Sequence, residues 1–315
     1  MELIRGLHNL RPRHRNCVAT LGAFDGVHLG HQAVIGQLQA RARELDLPAV
    51  VISFEPLPRE YLRPLQAPAR LMSFREKCVA LAGLGVDRVL RIRFNEAVRT
   101  MPPRAFIEQV FVEGLGVKHL VLGDDFRFGR AREGDFEMIA AEGEHYGYQA
   151  ETTDTYTLDG ERVSSTRIRK ALADADFALA ERLLSRPYSI SGKVVYGRQL
   201  GRELGFPTAN LQLHRLRSPL SGVYAVRVHG AGLSGAPGVA NVGTRPTVNE
   251  SIRANLEVHL LEGRPELYGR RIAVTFLHKL RDEQRFSSVE VLREQIAADT
   301  AEARAWFSGR RNHDG

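Results

Sequence analysis

The sequence predicts a two-domain α/β + β protein: a parallel sheet covered by helices, then an antiparallel barrel or sandwich that ends in an α-helix. Three observations carry this expectation. Short apolar runs alternate with amphipathic stretches over the first half. From residue 187 the pattern turns to short β-rich runs divided by Gly and Pro. A final stretch of helical period closes the chain. A length of 315 residues also exceeds one ordinary domain.

The elements follow in order. CVATLG at 17–22 reads as a buried strand and HQAVIGQLQARAREL at 31–45 as a helix. PAVVISF at 48–54 is a second strand, and FREKCVALAGL at 74–84 a helix with Cys78 and Leu81 on one face. VDRVLRI at 86–92 is a third strand. PPRAFIEQVFVEGLG at 102–116 is a helix whose prolines suit its first turn. VKHLVLG at 117–123 is a fourth strand, followed by a helix at 135–147. Such alternation means parallel strands, whose ligands sit beyond their carboxyl ends. The loops after residues 22, 54 and 123 are therefore the places for chemistry. SSTRIRKALADADFALAERLLSRP at 164–187 reads as one helix that Pro187 stops, which places the domain boundary near residue 186 and the domains at 1–186 and 187–315. YSISGKVVYG, GVYAVRVHG, GVANVG, LEVHLLEG and RRIAVTFLHKL are the strands of the second domain. The last helix spans 287–307 with Ser287 or Ser288 as its cap.

Hydrophobic residues make up 43% and charged residues 26%, which excludes wholesale disorder. The net charge of +7 suggests anionic partners such as nucleotides, nucleic acid or a membrane surface, although scattered arginines are equally a solvated surface. The two cysteines, Cys17 and Cys78, form no disulfide framework or zinc spacing, which fits a reducing compartment. The first residues mix charge into every short stretch, and no uncharged apolar run reaches membrane length. The expectation is a soluble cytoplasmic protein.

Two segments carry chemistry. In GAFDGVHLGH at 22–31, a strand ends at a glycine-bearing turn and a helix begins. His28 and His31 lie three apart, on one face of that helix, and Gly30 lets a ligand approach the backbone. A helix N-terminus carries partial positive charge and unpaired N–H groups, so it favours a phosphate. Taken alone, the same pattern also describes two surface histidines in a loop. The second segment is GKVVYGRQLGRELGFPTAN at 192–210, which matches neither the P-loop nor the dinucleotide fingerprint. Within it Thr208 and Asn210 point to one side of an extended segment and offer hard oxygen ligands suited to Mg²⁺. Downstream, Glu257 and His259 share one strand face, opposite Leu256, Val258 and Leu260.

The 22–31 segment resembles the HxGH signature of the nucleotidylyltransferase superfamily, and VSSTRIR at 163–169 resembles its ISSTxxR motif. The narrower forms FDGxHxGH, FEPxPRE (SFEPLPRE at 53–60) and GxDFRFG (GDDFRFG at 123–129) resemble the bacterial bifunctional riboflavin kinase/FMN adenylyltransferase family. The GRELGFPTAN stretch, GVYAV at 222–226, NVGTRPTV at 241–248, LEVHLLE at 256–262 and LYG at 267–269 resemble its kinase half. The resemblance implies a Rossmann-like nucleotidylyltransferase domain and a β-barrel kinase domain. It implies Mg²⁺, ATP as co-substrate, and FMN and FAD as products made from riboflavin. It places ATP at Gly22, Phe24, Asp25, Gly30, Ser164, Ser165, Thr166 and Arg169 in the first domain, with Arg167 the alternative cation, and at Gly197, Gly205 and Pro207 in the second. It places flavin at Phe54, Pro56, Asp125 and Phe128. Phe54 and Phe128 equally suit a core, and Asp125 equally suits a turn cap. His28 and His31 become catalytic groups of adenylyl transfer and Glu257 the kinase base, with Thr208 and Asn210 at Mg²⁺. Leu57 is given no role, because that position is often polar in the family.

Two rivals follow. One is a chain with a single live activity, against which every key position in both domains is occupied. The other is a basic nucleic-acid-binding protein, which needs aromatics interleaved with Lys and Arg on the barrel strands. Those strands carry Val, Leu and Ala instead, so no nucleic acid and no membrane is expected as a partner, while an oligomer stays open.

Overall fold

The computed structural model describes residues 1–197, 201, 204–246 and 252–311. They form two compact units: Met1–Pro68 with Phe74–Ser164, and Ala69–Ser73 with the chain from Ser165.

The first unit is built on a six-stranded sheet of β1 (Glu2–Arg5), β2 (Cys17–Leu21), β3 (Ala49–Glu55), β4 (Arg88–Arg93), β5 (Val117–Gly123) and β6 (Gln149–Thr153). Its order is β1-β4-β3-β2-β5-β6, and every pair is parallel. The chain winds one way from β2 through β3 to β4 and the other way from β5 to β6. The crevice between β2 and β5 is thus the switch point, where such sheets bind ligands. All five residues of β2 are buried, as expected of a strand covered on both faces. The helices are α1 (Leu29–Glu44), the short α2 (Pro58–Leu62), α3 (Phe74–Gly83), the short α4 (Glu96–Arg99) and α5 (Pro103–Phe106), and α6 (Phe136–Tyr146). The helix expected over 102–116 starts as α5 and widens into a π-helical stretch, Ile107–Gly114. Its Phe106, Ile107, Val110 and Phe111 complete the core against β2, β3 and β5. A small hairpin, β7 (Thr157–Leu158) and β8 (Glu161–Arg162), precedes the SST segment.

The single helix expected over 164–187 is two: α7 (Ser165–Ala173) and α8 (Phe177–Leu184). Ala175 takes a left-handed φ of 57°, and Asp176 restarts the helix by accepting from the Leu179 N–H at 2.9 Å. The sequence Asp174-Ala175-Asp176 supplies that break, since Asp prefers a cap to a helix interior.

The second unit is a closed antiparallel barrel. Its strands are β9 (Ser189–Val195), β10 (Ala209–Gln212), β11 (Gly222–Gly230), β12 (Leu233–Pro246), β13 (Ile252–Leu260) and β14 (Arg271–Arg281), in the order β10-β13-β12-β11-β14-β9. Tyr224 and Phe276 meet edge-to-face at 5.4 Å, and both are buried. The terminal helix α9 (Val289–Arg311) lays Ala303 and Phe307 on Val223, Ala225 and Val239. Ser288 caps it, accepting from the Val291 N–H at 3.3 Å. Arg281 Nε and Nη2 donate to the two oxygens of Asp299, both at 2.8 Å, which ties α9 to the end of β14.

Candidate active sites

At the switch point, β2 delivers its chain into the loop Gly22–His28. Phe24, Gly26 and Val27 have φ of 47°, 91° and 43°. Left-handed residues cost a non-glycine about 1–2 kcal/mol each, and such turns gather N–H groups into anion-binding concavities. Gly22 has no room for a side chain, because a Cβ there would lie 2.9 Å from the Phe24 ring. Asp25 is buried in the same loop.

His28 caps α1. Its Nδ1 accepts from the His31 N–H at 3.3 Å, so its proton sits on Nε2 when the ring is neutral. The two imidazoles stack at 3.7 Å with 18° between their planes. His31 Nδ1 is buried and has no hydrogen-bond partner among the described residues. Burial, with the adjacent His28 and then Lys77, holds His31 well below the usual histidine value, so it is neutral at pH 7. Gly30 lets the chain close up: a Cβ there would lie 3.3 Å from the His28 ring and 3.4 Å from the Val163 carbonyl. That carbonyl is the residue before Ser164. Ser165 opens α7, Thr166 is exposed, and Arg169 Nε donates to the Ala69 carbonyl at 2.5 Å.

The other first-domain candidates gather at the ends of β3 and β5. Phe54 is half-buried and touches Phe106 at 6.1 Å, and Pro56 follows one residue after β3 ends. Phe128 lies fully in the core, under Gly134, stacked with Phe126 at 5.5 Å. Asp125 is open to solvent, and Arg162 Nη2 lies 3.1 Å from Oδ2 of Asp125 and 3.1 Å from Oδ1 of Asp124.

In the barrel, register does what spacing could only suggest. Asn210 on β10 stands opposite Glu257 on β13, and Glu257 stands opposite Asn241 on β12. Partners in register share a sheet face, so a carboxylate sits in a row between two amides. Asn255 Nδ2 donates to Glu257 Oε1 at 2.9 Å. His259 Nδ1 lies 2.9 Å from the Pro207 carbonyl, which makes Nδ1 the donor, and Phe206 packs edge-on to the imidazole at 5.5 Å. A cleft of about 320 Å³ opens here, lined by Thr208, Asn210, Asn241, Glu257, Arg281 and Phe286. A second cleft, also about 320 Å³, contains Gly205, Pro207, Arg264 and Tyr268. Thr208, Asn210 and His259 line both.

Asn210 Oδ1 is buried and has no hydrogen-bond partner among the described residues. Gly197 presses on this amide: a Cβ there would lie 2.5 Å from Asn210 Cγ. An orphaned amide oxygen beside the Thr208 hydroxyl and the Glu257 carboxylate is a hard-oxygen donor set that suits Mg²⁺. Arg198 and Arg202 of the glycine loop lie outside the described residues.

Sequence reasoning missed Lys77, Asn241, Asn255 and the Arg281–Asp299 tie. Lys77 left one signal, standing four residues before buried Leu81 and hence on the inward face of its helix. Asn241 left one, as the first residue of NVGTRPTV, and Asn255 left none, because register is not written in a single strand.

The family model described as FAD synthetase matches residues 10–167, and that described as riboflavin kinase matches residues 184–307. A bifunctional riboflavin kinase/FMN adenylyltransferase of Pseudomonas fluorescens is 55% identical over 305 residues, covering 97% of each chain. Its namesake in Escherichia coli K12 is 51% identical over 98% of each chain. A crystal structure described as a macrolide-efflux protein of Streptococcus pneumoniae superposes with a TM-score of 0.75 at 28% identity, over 97% of this chain and 100% of that one. Among the described residues no helix is long and apolar enough to cross a membrane. With both domain families in this order and relatives matched end to end, the chain belongs to the bifunctional riboflavin kinase/FMN adenylyltransferase family.

Proposed function

We propose that the two activities of the family run at the two sites just described, with adenylyl transfer assigned to residues 1–186 and the kinase to 187–315. In the barrel, riboflavin offers a primary hydroxyl to the γ-phosphorus of ATP. Glu257 takes the hydroxyl proton as the phosphoryl group moves, giving FMN and ADP. Thr208 and Asn210 hold Mg²⁺, which neutralises charge on the phosphate oxygens when bound. Gly197, Gly205 and Pro207 line the ATP side. The observation that carries this reading is the carboxylate of Glu257 in register between Asn210 and Asn241, on a cleft wall shared with Thr208.

At the switch point the nucleophile is the FMN phosphate and the target is the α-phosphorus of a second ATP. A phosphate is nucleophilic near neutral pH, so this step needs alignment and charge neutralisation rather than a strong base. His28 donates from Nε2 to the developing charge, and neutral His31 adds a second donor. Gly22, Phe24, Asp25 and Gly30 shape the loop that receives the triphosphate. On motif resemblance, Ser164, Ser165, Thr166 and Arg169 hold the departing pyrophosphate. Phe54, Pro56 and Asp125 receive the flavin, with Phe128 as the floor beneath. The proposed setting is the reducing cytoplasm, consistent with two free cysteines, one of them buried.

Separate assays of FMN and FAD formation test the division. His28→Ala should cut FAD formation from FMN by about 10²–10³-fold, as loss of an oxyanion-type donor does, and spare FMN formation. Glu257→Gln should do the reverse. A folded variant that loses both activities would sink the two-site assignment.

A further inference from the structure

A buried lysine in the first unit belongs to neither set of candidate residues. Lys77 on α3 is only 2% exposed, although its neighbour Leu81 would serve the same inward face with carbon alone. Its ammonium group donates to the Ala23 carbonyl at 2.5 Å and to Ser53 Oγ at 3.1 Å. Ala23 belongs to the loop that leads from β2 to His28, and Ser53 to the adjoining strand β3. Burying an ammonium is strongly unfavourable unless its charge is used. The two acceptors lie on different elements, so this one ammonium ties the loop before His28 to β3.

We propose that Lys77 is a positioning residue of the adenylyl-transfer site: it clamps the Gly22–His28 loop from inside the domain and sets a fixed positive charge behind His31. The inference rests on the assignment of His28 and His31 to that reaction. Two effects follow from the placement. The loop carbonyl is turned inward, which ties the backbone that leads to His28 to α3 and β3. The charge also opposes protonation of His31. The groups that act on His31 are its stacked neighbour His28 on the same turn and Lys77 from α3, and both disfavour the imidazolium. His31 is thereby kept neutral.

The test compares Lys77→Met, Lys77→Arg and His28→Ala in FAD formation from FMN, with riboflavin phosphorylation by the same molecules as the control for folding. Lys77→Met should lower kcat for FAD formation about 30-fold or more and move the acid limb of its pH profile upward, because His31 then protonates more readily. Lys77→Arg keeps the charge and should keep that limb in place, whatever it does to kcat. Long-range ¹H–¹⁵N spectra of the unaltered enzyme, labelled at histidine, give a reading that does not depend on the variants folding: His31 should stay neutral through the pH range in which an ordinary histidine titrates. A normal histidine titration there, or a Lys77→Met enzyme with an unmoved acid limb, overturns the proposal. If Lys77→Met is unimpaired while His28→Ala is dead, only this inference fails. If His28→Ala is also unimpaired, the site assignment beneath it fails.

Discussion

Asn210→Leu separates a binding role from a structural one, because the two readings move stability in opposite directions. The Asn210 side chain is 7% exposed, and its Oδ1 has no partner among the described residues. Leaving a buried acceptor unsatisfied costs about 1–3 kcal/mol. Leucine branches at Cγ as asparagine does, so it still fits under Gly197, and two methyls in place of oxygen and nitrogen cost about 1 kcal/mol in packing. The net effect is a gain of about 0–2 kcal/mol, a rise in Tm of up to about 8 °C at 2–4 °C per kcal/mol. The ligand response should go the other way. Mg·ADP at about 100 times its Kd adds about 2.7 kcal/mol to a protein that binds it, a shift of about 5–11 °C. Thermal melts of wild type and variant, each with and without Mg·ADP, read both quantities, and a product assay reads FMN formation. The variant should melt at or above the wild type, lose the Mg·ADP shift and lose riboflavin phosphorylation at least 100-fold. A variant that melts more than about 4 °C low yet keeps the shift would show that the amide serves the fold and that the metal assignment is wrong.

Other substitutions read neighbouring parts of the molecule. Gly197→Ala puts a methyl where the Asn210 side chain now is, so kcat/KM for riboflavin phosphorylation should fall about 30-fold, a barrier change of about 2 kcal/mol, with FAD formation from FMN unchanged. Asp299→Asn leaves the half-enclosed Arg281 without its carboxylate; urea denaturation should show a loss of about 3 kcal/mol, and KM for riboflavin should rise because Arg281 lines the cleft. Glu151 is held below its usual 4.5 chiefly by the hydrogen bonds from Arg41. A depressed carboxyl stabilises the fold above its unfolded value and loses that contribution as pH falls through the lower folded one. Glu151→Gln should therefore cost about 1 kcal/mol at pH 7 in urea melts, the pair being partly screened, and nothing at about pH 2.

The parallel domain was legible because its central strands are buried on both faces, which forces apolar runs such as CVATL into the sequence. Its edges were not. β1 and β6 read ELIR and QAETT, since an edge strand has a solvated side and tolerates charge. They are placed by pairing with β4 and β5, a long-range fact. The split at Asp174–Asp176 was visible in principle, because an aspartate three residues before Leu179 is a cap signal, but the apolar period of 164–187 runs straight through it. Arg169 shows the limit of motif reading for a site. The motif supplies a cation, whereas the fold shows one of its donors already spent on the Ala69 carbonyl.

The two proposed sites also differ in how far local sequence could describe them, and the reason is chemical. A phosphate nucleophile needs no base, so the switch-point site is made mainly of backbone N–H groups, two imidazoles on one helical turn and the loop that holds them. Those parts are contiguous in sequence, and GAFDGVHLGH displays nearly all of them. A hydroxyl nucleophile does need a base beside its phosphoryl donor, and a barrel supplies that only by bringing β10, β12 and β13 into register. No window of the sequence contains Asn210, Asn241 and Glu257 together. Shifting β13 by one residue against β10 would replace Glu257 opposite Asn210 with an apolar neighbour and turn the carboxylate to the other face, because side chains alternate along a strand. The leucine and valine on either side of Glu257 therefore serve the proposed kinase site: Leu256 and Val258, each at most 1% exposed, fix the register that aims the carboxylate.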